Sequence, residues 1–227
     1  MNNKLNLVVL TGAGISAESG IKTFRDSGGL WEGYDVSRVA SPMGWQEDPA
    51  LVLEFYNMRR NEIRKAKPND AHKGLAALEE RFNVHIITQN IDDLHERAGS
   101  SKVLHLHGLI TQMRSVYDDD TLYDVGESIQ LGDKAADGGQ YRPHVVWFGE
   151  DVPMLRDASR LVERADIFVI IGTSLNVYPA AGLVDYVRGS VPRFVIDKKI
   201  PAISQQRFFT FIEKPATLGV AELATLI

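Results

Sequence analysis

No cysteine occurs among the 227 residues. That absence excludes disulfides, thiolate zinc sites and cysteine nucleophiles together. No apolar run approaches the roughly 18 residues a membrane helix needs. The stretch Met1 to Leu10 carries one lysine and an apolar segment too short for a signal-peptide core, so a cytoplasmic protein is expected. Positive charge is also scarce: 25 Lys and Arg against 30 Asp and Glu give a net charge of -5, with no long basic run. This argues against nucleic acid or an anionic membrane as a partner, since both are gripped by clustered cations. Internal repeats and low-complexity linkers are missing too. What remains is ordinary globular composition, 44% hydrophobic and 24% charged, in a chain long enough for one large domain or two small ones.

Leu5 to Leu10 is a short apolar run that opens into Thr11, Gly12, Ala13 and Gly14. It reads as a buried parallel strand followed by a glycine turn and a helix. Further strands are predicted at Val84 to Thr88, Val103 to Leu106, Val145 to Phe148, Ile167 to Gly172 and Arg193 to Ile196. Helical spacing recurs at Leu51 to Lys65, Ala71 to Arg81, Leu155 to Ala165 and Ala180 to Val187. This alternation predicts an α/β fold: a Rossmann-like, doubly wound, mainly parallel sheet. Two stretches break the rhythm, about 23–67 and 109–141. They are expected to form a smaller inserted lobe against a core made of about 1–22, 68–108 and 142–227. Ligands of such folds bind where strand ends meet insertions.

The turn Gly12, Ala13, Gly14, Ile15, Ser16 has the chemistry to receive a pyrophosphate, because glycines admit close backbone approach and a helix start offers unpaired N–H groups. A tight strand-to-helix turn is the plainer reading of the glycines alone. The spacing also departs from the dehydrogenase fingerprint, since Ser16 and Ala17 stand where its third glycine belongs. The longer pattern is far more specific. After Gly12 to Ile21 come Thr23, Phe24 and Arg25, then Thr88 to Asp92, Leu106-His107-Gly108, Val145 to Glu150 and Gly172 to Leu175.

This ordered set resembles the sirtuin family, over about Leu7 to Ser174 with a looser tail. The resemblance implies an NAD-dependent protein-lysine deacylase. In that family the acyl-lysine carbonyl oxygen attacks the ribose C1′ of NAD as nicotinamide leaves, a histidine acts as base on a ribose hydroxyl, and the acyl group ends on ADP-ribose. Carried onto this chain, it implies that Gly12 to Ser16 cradle the pyrophosphate and that Thr23, Phe24 and Arg25 lie over the cofactor. Gln89, Asn90, Ile91 and Asp92 would meet the nicotinamide, with a capping turn as the plain alternative for Asn90 and Asp92. Gly172, Thr173 and Ser174 would contact the adenosine side. Val146, Trp147, Phe148 and Gly149 would pair with the substrate backbone by strand addition. His107 is the expected general base, with Asn90 and Asp92 beside it, because an imidazole titrates near neutral pH. Alternation along a strand would put His105 on the same face as His107.

Tyr56 and Arg59 lie three apart on a predicted helix and so share a face. They resemble the Tyr-x-x-Arg signature of sirtuins that remove succinyl, malonyl or glutaryl groups, in which the arginine grips a carboxylate. The alternative is a solvated helix face, and a plain deacetylase follows from it. Arg60, one residue on, is expected to point elsewhere. Two features depart from the family. The paired cysteines that hold a structural zinc are absent, so no metal is expected, and the acidic run Asp118, Asp119, Asp120 reads as solvated loop rather than a cation site. The lobe would then rest on residues such as Met113, Val116, Tyr117, Leu122 and Tyr123. Asp197 stands where the family has a ribose-binding asparagine, and Ala216 is matched to the adenine-contacting position. Expected partners are acylated-lysine proteins or peptides. The rival readings are a sirtuin-like ADP-ribosyltransferase, an NAD sensor with little turnover, and a Rossmann dehydrogenase.

Overall fold

The structure is a computed structural model and describes residues 4–22, 30, 31, 33–203 and 208–227. The strands are β1 (Asn6–Thr11), β2 (Leu30–Trp31), β3 (Tyr34–Asp35), β4 (Asn83–Thr88), β5 (Val103–His105), β6 (Gly108–Ser115), β7 (Leu122–Asp124), β8 (Tyr141–Val145), β9 (Ile167–Ile171), β10 (Arg193–Ile196) and β11 (Phe209–Ile212). The α-helices are α1 (Val36–Val39), α2 (Pro42–Glu47), α3 (Pro49–Lys65), α4 (Asp70–Ala77), α5 (Leu94–Arg97), α6 (Leu155–Glu163) and α7 (Ala216–Leu226). Among the described residues six strands form one sheet in the order β11-β10-β9-β1-β4-β5, every neighbouring pair parallel.

β1 is the hinge of this arrangement. Leu7 and Val9 face one side, where they pack with Leu75 of α4 and Val220 and Leu223 of α7. Val8 and Leu10 face the other, against Ala158 and Val162 of α6. Strand alternation thus feeds two apolar layers, and a sheet covered on both faces requires the near-continuous apolar runs seen in the sequence. Since β1 pairs with β4 on one side and β9 on the other, the chain order reverses at β1. A crevice opens there at the carboxyl ends of the strands, and in doubly wound sheets this is where ligands bind.

The predicted α/β core is therefore present, with local corrections. No α-helix follows the glycine turn; two single 3₁₀ turns do, Ala13–Ile15 and Ala17–Ser19. The segment Ala71 to Arg81 divides into α4 and a 3₁₀ turn, Leu78–Glu80, and Ala180–Tyr186 is 3₁₀ rather than α. The expected strand at Val145 to Phe148 lies earlier. β8 ends at Val145 and pairs antiparallel with β6, which also takes β7 on its other edge.

This three-stranded sheet packs against α3, and its strand β8 runs past residue 141, where the expected insertion ended. Helix α3 is fixed at both ends: Asp48 caps it by accepting from the Leu51 N–H at 3.0 Å, Pro49 sits in the first turn, and Arg64 and Lys65 close it. Asn57 of α3 grips the backbone of Ile129 in both directions, donating to its carbonyl at 2.8 Å and accepting from its N–H at 3.0 Å. Arg64 donates to the carbonyls of Val125, Gly126 and Glu127. Beneath these bonds Leu53, Val125 and Ile129 form a small buried cluster, with Met113 and Tyr141 against it. Of the residues expected to hold the lobe, Met113 does so and Tyr123 packs edge-on to Tyr141 at 5.4 Å, whereas Tyr117 is 78% exposed and Leu122 is 39% exposed. Among the described residues no cluster of His, Asp or Glu could hold a metal ion, and no helix is long and apolar enough to cross a membrane.

Candidate active site

A cleft of about 460 Å³ lies over the carboxyl end of β1. Its floor is two interlocked glycine turns. The Gly12 N–H donates to the Ile171 carbonyl at 3.0 Å and the Gly14 N–H to the Gly172 carbonyl at 2.8 Å. A Cβ on Gly14 would lie 2.6 Å from the Gly172 Cα, and one on Gly12 2.8 Å from the Gly172 oxygen. Backbone meets backbone here, so no side chain fits at either position. Gly12, Ala13, Gly14 and Ser16 line the cleft, with Gly172, Thr173 and Ser174 opposite them. Ile15 does not. It is fully buried in the core beneath, so the turn presents its neighbours and anchors itself through Ile15. Thr23, Phe24 and Arg25 lie outside the described residues.

The loop after β4 supplies the polar wall. Gln89, Asn90, Ile91 and Asp92 all line the cleft. The Gln89 amide donates to the Thr173 hydroxyl at 3.1 Å. The Asn90 amide donates to the Gly12 carbonyl and to the Ser16 hydroxyl, each at 3.2 Å, and Ser16 in turn donates to Asp92 at 3.0 Å. Asp92 also accepts from the Leu94 N–H at 3.2 Å at the start of α5, whose N-cap residue is Asp93. Burial raises the Asp92 carboxyl above its usual range, against the pull of those donors and of the nearby His105. Behind Ser16 stands His72. Its Nδ1 accepts from the Asn69 N–H at 3.3 Å, which puts the ring proton on Nε2, 3.5 Å from the Ser16 hydroxyl. Burial pushes the His72 pKa down to about 4.

His107 enters from the turn after β5. Its Nδ1 lies 2.9 Å from the Gln89 carbonyl. A carbonyl only accepts, so Nδ1 carries the proton and Nε2 presents its lone pair. Burial lowers the His107 pKa, opposed by that hydrogen bond, and the neutral base form is favoured. His105 does not share its face. β5 ends at His105, strand alternation stops, and the His105 ring turns away from the cleft toward Glu96.

The remaining wall comes from the segment after β8 and from α3. Val146, Trp147, Phe148 and Gly149 line the cleft, but their N–H groups are largely engaged. Val146 donates to the His107 carbonyl at 2.9 Å, Phe148 to the Ala40 carbonyl at 3.0 Å and Trp147 to the Glu150 carboxylate at 2.8 Å. A substrate strand added here would be received by carbonyls. Glu150 is held by Arg142 through two bonds, 2.7 and 3.1 Å, and the guanidinium lies 3.3 Å from the Trp147 ring centroid. Arg59 also lines the cleft and is only 3% exposed, with an ion pair to Glu62 at 2.9 Å and the Trp31 ring 5.5 Å away. Tyr56 stands behind that wall rather than in it. It is fully buried among Trp31 and Phe55, with burial raising its pKa so that the phenol stays protonated. Arg60 points elsewhere, as expected, donating to the Ile110 carbonyl at 2.7 Å from a fully buried position. Asp197 and Ala216 also line the cleft.

The Sir2 family model matches residues 12–179, which span the glycine turn, the β4 loop, His107 and the lobe. The chain belongs to the Sir2 family. It is 54% identical over 228 residues to an NAD-dependent protein deacylase of Bacteroides thetaiotaomicron, covering 98% of this chain and 97% of that one. It is 56% identical over 194 residues to an NAD-dependent protein deacylase of Helicobacter pylori, covering 86% and 83% of the two chains. Among solved structures, a Sir2 homologue in complex with NAD superposes with a TM-score of 0.88 at 38% identity, covering 98% of this chain and 89% of that one.

In this Sir2 protein several site residues went unassigned from sequence. Glu150 closes its own motif, yet its partner Arg142 lies eight residues earlier and had no spacing signal. His72 fills the third helical position of a capping box over Asn69, where the sequence pattern has Glu or Gln, so no spacing signal marked it.

Proposed function

We propose that this chain is an NAD-dependent protein-lysine deacylase whose acyl pocket takes acidic acyl groups, succinyl, malonyl or glutaryl. The observation that carries the finer reading is Arg59, a buried arginine that lines the same cleft as His107. A guanidinium taken out of water needs an anionic or polar partner, and a carboxylate fits its fork. Glu62, half exposed, pairs with Arg59 through Nη1 at 2.9 Å, and an acyl carboxylate in the cleft would compete for that guanidinium. The protonated Tyr56 phenol stands just behind.

The interlocked glycine turns bring bare backbone at Gly12, Gly14 and Gly172 to the cleft floor, and such a floor fits a dinucleotide's pyrophosphate. Gly12, Ala13, Gly14 and Ser16 would hold the pyrophosphate, Asn90 and Asp92 the nicotinamide, and Thr173, Ser174, Asp197 and Ala216 the adenosine half. When bound, NAD supplies an electrophilic ribose carbon and a leaving group. His107, neutral and with Nε2 bare, takes a proton from a hydroxyl. The Gln89 carbonyl keeps the proton on Nδ1, and the Arg142–Glu150 pair holds Val146 to Gly149 against the peptide. The Bacteroides and Helicobacter relatives, both described as NAD-dependent protein deacylases, support the coarse activity.

Product analysis tests it. With NAD and a succinyl-lysine peptide the expected products are free lysine peptide, nicotinamide and acyl-ADP-ribose, all lost in His107→Ala. ADP-ribosylated protein would favour the transferase reading, and NADH the dehydrogenase one.

A further inference from the structure

His105, two residues from the general base, has no part in the steps above and does not line the cleft. Its geometry is nonetheless specific. Nδ1 lies 3.1 Å from the backbone carbonyl of Asn90 and Nε2 lies 2.7 Å from the Glu96 carboxylate. Both partners are acceptors. A neutral imidazole has one N–H and could satisfy only one of them, so the pair of contacts calls for the doubly protonated ring. The contrast with His107 is direct: the base touches one carbonyl and keeps a bare nitrogen, while its neighbour is bound at both.

We propose that His105 is a positioning residue for deacylation: held as an imidazolium between Glu96 and the Asn90 carbonyl, it fixes the Asn90 to Asp92 segment, and loss of its second proton slackens that segment. The proposal rests on the reading of the cleft as a deacylase site. Asn90 is pinned by its side chain to Gly12 and Ser16, by its N–H to the Thr88 hydroxyl at 3.1 Å and by its carbonyl to His105. The Ile91 carbonyl is held by the Ile110 N–H, so removing the His105 anchor loosens the Asn90 carbonyl end, which helps to aim the amide and the Asp92 carboxylate, rather than releasing the whole loop.

The groups that face His105 come from three elements. Glu96, on α5, is 39% exposed at its side chain, so the pair exchanges protons with solvent. Asp92, on the loop, is a second negative neighbour. His95 of α5 and His144 of β8 are both held neutral by burial, so they add no opposing charge at neutral pH. Burial works against the charged His105 ring, and the Glu96 bond and charge outweigh it, raising the His105 pKa.

The test uses the whole enzyme with NAD and an acyl-lysine peptide, assayed from pH 6 to 10, with the histidine ring signals followed by NMR. His105 should titrate above 6.5, its ordinary value, and rate should fall as pH rises through that titration. Glu96→Gln is the decisive variant. A glutamine amide can donate to the bare Nε2 of a neutral ring while Nδ1 still holds Asn90, so the alkaline limb should vanish and His105 should titrate below 6.5. His105→Ala should lower kcat on the order of tenfold, the loss of one charge-assisted hydrogen bond, and raise the KM for NAD, with His105→Gln restoring part of it through an amide donor. An alkaline limb unchanged in Glu96→Gln, or a His105→Ala enzyme with wild-type kcat and KM, overturns the proposal alone. Turnover that survives His107→Ala overturns the reading of the site and the proposal with it.

Discussion

Replacing Asn57 with alanine should loosen the lobe without touching the cleft. One side chain makes three bonds: to the Ile129 carbonyl at 2.8 Å, from the Ile129 N–H at 3.0 Å and from the Arg60 guanidinium at 2.6 Å. Ile129 is 1% exposed and Arg60 is fully buried, so water cannot easily replace what is lost. Two neutral hydrogen bonds contribute about 1 kcal/mol each and one to a charged donor about 2 kcal/mol. Partial access of water at the part-buried Asn57 brings the expected loss to about 3 kcal/mol. Asn57→Asp keeps both accepted bonds and loses the donated one, so it should cost about 1 kcal/mol. Denaturant unfolding gives the stabilities, and hydrogen exchange shows whether residues 125–130 open first. A loss below about 0.5 kcal/mol, within the range of ordinary surface changes, together with unchanged exchange in that loop, would refute this account of how a cysteine-free lobe is held.

Acid should destabilise the fold through His72. Its folded pKa of about 4 lies below the ordinary 6.5, so the unfolded chain binds a proton that the folded one refuses. Stability is then full above about pH 6.5 and falls as pH drops toward 4, by about 3 kcal/mol in all. His72→Gln, which can keep the capping box, should flatten that part of the pH–stability curve; a slope unchanged in the variant would contradict the assignment. Gly14→Ala should abolish NAD binding and lower the melting temperature, since its Cβ meets the Gly172 backbone at 2.6 Å. Wild-type NAD affinity in that variant, measured by calorimetry, would show that the two turns can part.

Much of the core was legible because buried parallel strands must be continuous apolar runs. Leu7 to Leu10 and Ile167 to Ile171 announced themselves in this way, and Val84 to Ile87 is interrupted only by His85. β11 and α7 were not foreseen: Phe209 to Ile212 is short and broken by Thr210, and α7 carries apolar residues on its exposed side too, at Leu218 and Leu226, which blurs its helical period. β6 was hidden because Thr111, Gln112 and Arg114 interrupt its pattern at the surface of a small sheet. The 3₁₀ turns after Gly12 carry no periodicity at all. In the site, residues fixed by ordered motifs fell around one cleft, while those fixed by tertiary contact did not show. Ile15 and Tyr56 share motifs with cleft residues, yet each faces the core. Arg142 with Glu150, and Glu96 with His105, pair across turns that no spacing rule reads.

One lysine peptide in succinylated and acetylated forms, assayed with NAD on the wild type, His107→Ala and Arg59→Met, tests the central claim most directly. Succinyl preference in the wild type, its loss by tenfold or more in Arg59→Met as expected for a charge-assisted contact, and no turnover in His107→Ala are the predicted results. Acetyl preference in the wild type that Arg59→Met leaves unchanged would contradict the acidic-acyl pocket, and activity in His107→Ala would contradict the base.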